Sequence, residues 1–206
     1  MQQRFNVMRR ILVLLVLTAV FGMSACGGKS VKRIAADEVT DLSGEWNDTD
    51  SRLVSREMVD DLLAQRWLSR FRSANGRPPA VIVGRIRNLS HEHINTRTFI
   101  ADIERALINS GEVDFVASAD ERADIRKERM DQDLNASAAT RKAMGEEIGA
   151  DFMLKGSINT IVDAVKGQQA RFYQVDLNLI DLQTNRKVWA GQKKIKKTIS
   201  RSSVRW

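Results

Sequence analysis

The stretch Phe172-Tyr173-Gln174-Val175-Asp176-Leu177-Asn178-Leu179-Ile180 decides the fold class. Tyr173, Val175, Leu177 and Leu179 alternate with Gln174, Asp176 and Asn178, and a period of two places the apolar set on one face of a β-strand. Turn residues flank it. Lys166-Gly167-Gln168 precedes it and Thr184-Asn185 follows it, leading into a further strand over Val188–Thr198, so both connections read as hairpins. Asp151–Ile161 reads as the strand paired through the first turn, which makes the carboxyl-terminal third an antiparallel meander.

Upstream the period changes. From Ser51 to Phe71 the apolar residues Val54, Met58, Leu62, Leu63, Trp67 and Phe71 recur every three to four positions, which predicts one amphipathic helix with caps available at Asp48, Asp50 or Ser51. Asn75-Gly76-Arg77-Pro78-Pro79 then breaks the chain. A buried strand is expected over Ala80–Ile86 and a polar loop over Arg87–Asn95. A second helix begins at Thr96 or Thr98, carries Phe99, Ile103 and Leu107, and ends at Gly111 in the left-handed conformation. Glu112–Ala117 reads as a short strand, Asp120–Asp133 as a solvated helix, and Ser137–Ile148 as a helix closed by Gly149. The early β-α-β unit favours parallel pairing and the late hairpins antiparallel pairing. The expected fold is therefore α/β (α+β): a single domain with a mixed, mainly antiparallel sheet flanked by helices. Trp46, Trp67 and Trp189 belong to its core, and the terminal Trp206 is the tryptophan expected outside it.

At the amino terminus Arg4, Arg9 and Arg10 precede an uncharged run from Ile11 to Gly22, which ends at Met23-Ser24-Ala25-Cys26. Such a run falls short of the roughly 20 apolar residues that span a bilayer, so residues 1–25 read as a signal peptide. Small residues before the lone cysteine resemble the lipobox of bacterial lipoproteins, with Met23 where leucine is usual. That resemblance implies lipidation at Cys26. By the sorting logic of such proteins, Gly27 and Gly28 lack the aspartate that retains a lipoprotein at the inner membrane, which favours the outer one. Removing Arg4, Arg9 and Arg10 lowers the formal charge from +7 to about +4, too mild to argue for nucleic acid. Residues 26–43 are polar and aperiodic and read as a lipidated tether before a domain over 44–206. Counted to Asp50, the tether spans about 24 residues, with a coil reach near ~27 Å and a stretched limit near ~80 Å.

The chain carries no Gly-rich phosphate loop, nucleophile elbow or HExxH. Its only histidines, His91 and His93, sit two apart in a loop, and we read them as ordinary loop residues over a zinc site completed by Glu92. No catalytic residue, metal, cofactor or small-molecule substrate is expected. Two surfaces are candidates for a partner. One is the loop with Arg87, Asn88, His91, Glu92, His93 and Asn95, since polar loops on rigid scaffolds often carry binding. The other is the basic run with Lys193, Lys194, Lys196 and Lys197, continuing to Arg201 and Arg205. It reads as an edge strand whose lysines discourage sheet-to-sheet association, with an anionic lipid or cell-wall polymer surface as the alternative.

The lipobox at Cys26, the lead-in Asp41-Leu42-Ser43-Gly44, Asn88 after the first strand, Gly149-Ala150-Asp151 before the third, and the closing YQVDLNLIDLQTNRKVWAGQKKIKK together resemble the LpoB-like family. The resemblance covers roughly Leu42–Ile199. It implies an outer-membrane lipoprotein whose periplasmic domain binds a bifunctional penicillin-binding protein and stimulates its glycosyltransferase. This chain departs from the best-known members in its short tether, which has no proline before Pro78. The alternative is a secretion component resembling the curli-export lipoproteins, which must contribute long lipid-facing strands to a pore. No spare pair of such segments stands outside the expected core.

Overall fold

The computed structural model of the protein describes residues 31–140, 142 and 147–200. In chain order its elements are α1 (Asp48–Ala64), α2 (Arg66–Asn75), β1 (Ala80–Asn88), α3 (Thr96–Ser110), β2 (Asp114–Phe115), α4 (Ala119–Asn135), β3 (Phe152–Val165), β4 (Gln168–Asp181) and β5 (Lys187–Ser200). The strands form one sheet in the order β2-β1-β3-β4-β5. β1 runs parallel to β2 and β3, and β3, β4 and β5 run antiparallel to their neighbours. This is the mixed, mainly antiparallel α+β arrangement that the period-two stretch and its two turns imply.

The alternation in β4 places Tyr173, Val175, Leu177 and Leu179 in the core, where each is essentially inaccessible to solvent. Leu154 and Ile158 of β3 join them, opposite Leu179 and Val175 in the antiparallel register. From the helices come Val54, Met58 and Leu62 of α1 and Phe99, Ile103 and Leu107 of α3, the last three spaced four apart and fully buried. Burying a side chain of this kind stabilises the fold by roughly 1.5–3 kcal/mol relative to leaving it in water. Local signals close the elements. Asn47 and Asp50 form a reciprocal capping box on α1, as do Ser118 and Glu121 on α4. Gly111 ends α3 in the left-handed region, and Asn185 takes the same conformation in the turn between β4 and β5.

Three expectations need correction. The helix read as continuous from Ser51 to Phe71 is two helices, because Gln65 is extended, with φ −83° and ψ 155°. The Trp67 indole N–H donates to the Leu62 carbonyl at 2.7 Å and takes over an acceptor that a continuous helix would use. The helix expected over 137–148 does not form at its described residues, of which 138–140 make a turn. The second strand shrinks from six residues to Asp114–Phe115. One compact unit begins at Val39. Asn47 Nδ2 donates to the Thr40 carbonyl and to Asp41 Oδ1. Among the described residues before it, a turn is closed by Glu38 N–H on the Ala35 carbonyl. The signal peptide, Cys26, Arg201, Arg205 and Trp206 lie outside the described residues.

Candidate functional site

The loop after β1 is held from beneath. Leu89 N–H donates to the Ile158 carbonyl and His91 N–H to Thr160 Oγ1, so the loop runs along β3. Asn88 and Ser90 brace it internally: Asn88 Oδ1 accepts from Ser90 N–H and hydroxyl, while Asn88 Nδ2 donates to the Glu92 carbonyl at 2.7 Å. Asn95 caps α3 by accepting from Arg97 N–H. Arg87 and Asn88, expected in the loop, are the last residues of β1.

Glu92 points inward. Its carboxylate accepts from the Tyr173 hydroxyl at 2.7 and 2.9 Å, from Arg171 Nη1 at 2.7 Å and from Trp46 N–H at 3.1 Å. Tyr173 is fully buried, with its ring edge-on to Trp46. Burial, then the Glu92 carboxylate, pushes its hydroxyl well above the ordinary tyrosine range, so it stays a donor. Glu92 is thus a satisfied internal anchor, and the loop's outer surface belongs to Leu89, His91 and His93, all exposed. Among the described residues no three potential metal ligands converge there or elsewhere.

The lysines of β5 divide by parity. Lys193 and Lys197 share the core-facing side with Trp189 and Ile195. Lys193 pairs with Glu57 of α1. Lys197, only 9% exposed, donates to Asp50 and Asp41 at 2.6 Å each and to the Glu45 carbonyl at 3.0 Å. It thereby ties the start of the compact unit to the last strand. Lys194 and Lys196 point to the opposite face, which carries Arg85, Arg87 and Lys155 as well. Among the described residues none of these five cations has a carboxylate within ion-pair distance. A shallow depression of about 410 Å³ lies between Arg85, Arg87, Lys155 and Asp176. Asp176 itself accepts from the side-chain amides of Asn159, Gln174 and Gln192. Among the described residues no helix covers this face to any extent, because the strand contacts of α1 and α3 lie on the other side and α4 makes no substantial contact with a strand.

The structure therefore brings Arg87, Lys194 and Lys196 onto one open face, leaves His91 and His93 exposed on a loop seated over the core-facing side, and gives Asn88, Glu92, Asn95, Lys193 and Lys197 internal duties. Sequence reasoning missed Arg85 and Lys155 on the open face, and Arg171, Tyr173 and Asp50 within. A tyrosine inside an otherwise aliphatic alternation was the signal for the buried cluster, since a buried hydroxyl needs a partner.

The family model for the peptidoglycan-synthase activator LpoB matches residues 50–195. The chain belongs to the LpoB family. The family role is that of a peptidoglycan-synthase activator. Among solved structures, the LpoB carboxyl-terminal domain from Escherichia coli is similar at 18% identity and a TM-score of 0.37, covering 68% of this chain and 97% of that one. Lipoprotein GNA1162 from Neisseria meningitidis is similar at 16% identity and a TM-score of 0.39, covering 62% and 88%. The PelC dodecamer from Paraburkholderia phytofirmans is similar at 17% identity and a TM-score of 0.33, covering 61% and 76%. No curated protein matches the chain. Among the described residues of this LpoB-family protein, no helix is long and apolar enough to cross a membrane.

Proposed function

We propose that this protein is an outer-membrane lipoprotein, lipidated at Cys26, whose periplasmic domain binds and activates a bifunctional penicillin-binding protein. The observation that carries the reading is the match of the LpoB family model across almost the whole folded unit. The contact surface we assign to it is the open sheet face with Arg87, Lys194 and Lys196, with the exposed Leu89, His91 and His93 on a braced loop that sits over the other side of the sheet. Such a surface offers steering charges and a small apolar tip on a rigid scaffold, which suits recognition of an acidic patch on a folded partner. As a regulator, the domain acts by binding the active conformation of the synthase more tightly than the inactive one.

The tether sets where the meeting occurs. About 12 residues separate Cys26 from Val39, which stretch to at most ~40 Å. The synthase must extend toward the outer membrane to be reached. The test is capture of penicillin-binding proteins from detergent-solubilised envelope by the full-length protein, followed by a lipid II polymerisation assay on whatever synthase is captured. Capture with faster polymerisation is the expected result. Retention of other envelope proteins without any synthase contradicts the proposal and leaves the curli-export type of role to be tested by the size of the assembly.

A further inference from the structure

A second concave surface borders the open face, which it meets at Lys187. It is a groove of about 880 Å³ between α2 and the turn joining β4 to β5. Its floor is aromatic. Trp67 and Phe71 each meet Phe152 edge-on at 5.1 and 5.3 Å between ring centroids, and the Trp189 indole completes it. Neither indole N–H is available to a ligand, because Trp67 donates to the Leu62 carbonyl and Trp189 to Asp61 Oδ2 at 2.9 Å. The rim is cationic. Arg66 and Arg70 stand one turn apart on α2, facing Arg186 and Lys187 at the start of β5. All four are exposed, and among the described residues none has a carboxylate partner. The two carboxylates in the lining are already engaged, Asp61 by Trp189 and Gln65, and Asp181 by the backbone N–H groups of Gln183 and Thr184.

A groove with four unpaired cations over an aromatic floor selects an occupant that is anionic at several points and extended between them. Its volume lies in the range of small-ligand clefts, about 300–1,000 Å³. We propose that this groove binds the stem peptide of peptidoglycan, an extended peptide of four or five residues that carries free carboxylates along its length and at its end. The choice of wall peptide as the multivalent anion rests on the family role in peptidoglycan synthesis. Arg66 and Arg70 hold one carboxylate, Arg186 and Lys187 another, and the peptide backbone between them crosses the narrow edges that the nearly buried Trp67 and Trp189 present to the groove. The activator thereby senses nascent wall through residues other than Arg87, Lys194 and Lys196, the cations assigned to the synthase.

The test is co-sedimentation of the full-length protein, in detergent, with purified sacculi and with sacculi whose stem peptides an amidase has removed. The protein pellets with intact sacculi, and removal of the peptides abolishes most of the binding. R66E/R70E and, separately, R186E weaken the apparent affinity for intact sacculi by roughly tenfold or more, the loss of one or two charge-assisted contacts. Their melting temperatures stay at the wild-type value, and both still stimulate the synthase on lipid II in the absence of sacculi. Equal pelleting with stripped glycan, unchanged binding by both variants, or loss of synthase stimulation in either variant overturns the proposal. Wild-type protein that pellets with sacculi but stimulates no synthase refutes the activator reading alone. Stimulation without pelleting refutes the groove alone.

Discussion

The two faces of β5 hold lysines at adjacent positions, Lys193 beside Lys194 and Lys196 beside Lys197, and use them for opposite ends. On the inner face Lys197 is almost sealed from solvent among Asp50, Asp41 and the Glu45 carbonyl. On the outer face Lys194 and Lys196 join Arg85, Arg87 and Lys155 with no carboxylate beside them. A buried ion pair is matched to one geometry, and removing one partner leaves a charge stranded. Free surface cations cost the fold almost nothing and remain available to a partner. Parity along one strand thus separates stability from recognition.

That contrast breaks most readily at Lys197. K197M strands Asp50 and removes a charge from Asp41, and is expected to destabilise by about 3 kcal/mol, lowering the melting temperature by roughly 6–12 °C for a domain of this size. The deficit also depends on pH. Lys197 holds Asp41 below its ordinary 3.8. Burial works against the charge on Lys197, but Asp41 and Asp50 outweigh it and raise the group above its ordinary 10.5. Stability from Asp41 is present above 3.8 and lost as pH falls through its lower folded value. Stability from Lys197 is present below 10.5 and lost as pH rises through its higher folded value. The difference in stability between wild type and K197M is therefore widest near neutral pH and narrows below about pH 4, which chemical denaturation across pH would show.

E92Q comes next. It leaves Tyr173 an acceptor but removes the charge facing Arg171, and should cost about 2 kcal/mol by the same measurement, with exposure of the Trp46 ring visible in its fluorescence. E57Q, on the partly exposed Lys193 pair, is expected to cost no more than about 1 kcal/mol. R87E/K194E/K196E sharpens the comparison from the other side. Its stability should stay within about 0.5 kcal/mol per site of wild type, while capture of the synthase falls.

Much of this division was legible beforehand. Trp189 and Ile195 share parity with Lys193 and Lys197, so the alternation already says that these two lysines lie on the side of the core. The acids awaiting them on α1 and at Asp41 were not legible, because those contacts join residues more than 130 positions apart. The alternation of β4, the left-handed cap at Gly111 and the turn at Asn185 were readable because each depends on local chemistry. The break at Gln65 was not, since no glycine or proline marks it and the cause is a tryptophan N–H reaching back to Leu62. In the candidate site, the polar loop was readable along the chain from Leu89 on, while Arg87 and Asn88 belong to β1. Which of them face inward depended on Arg171 and Tyr173, about 80 residues further on.

The most direct test of the account is the rate of lipid II polymerisation by a purified bifunctional penicillin-binding protein from the same envelope, with and without the full-length protein and its R87E/K194E/K196E variant. The account predicts acceleration by wild type and its loss, by roughly tenfold in the concentration required, in a variant that melts normally. Acceleration undiminished by the variant would remove the open face from the interface, and no acceleration by wild type would contradict the activator reading itself.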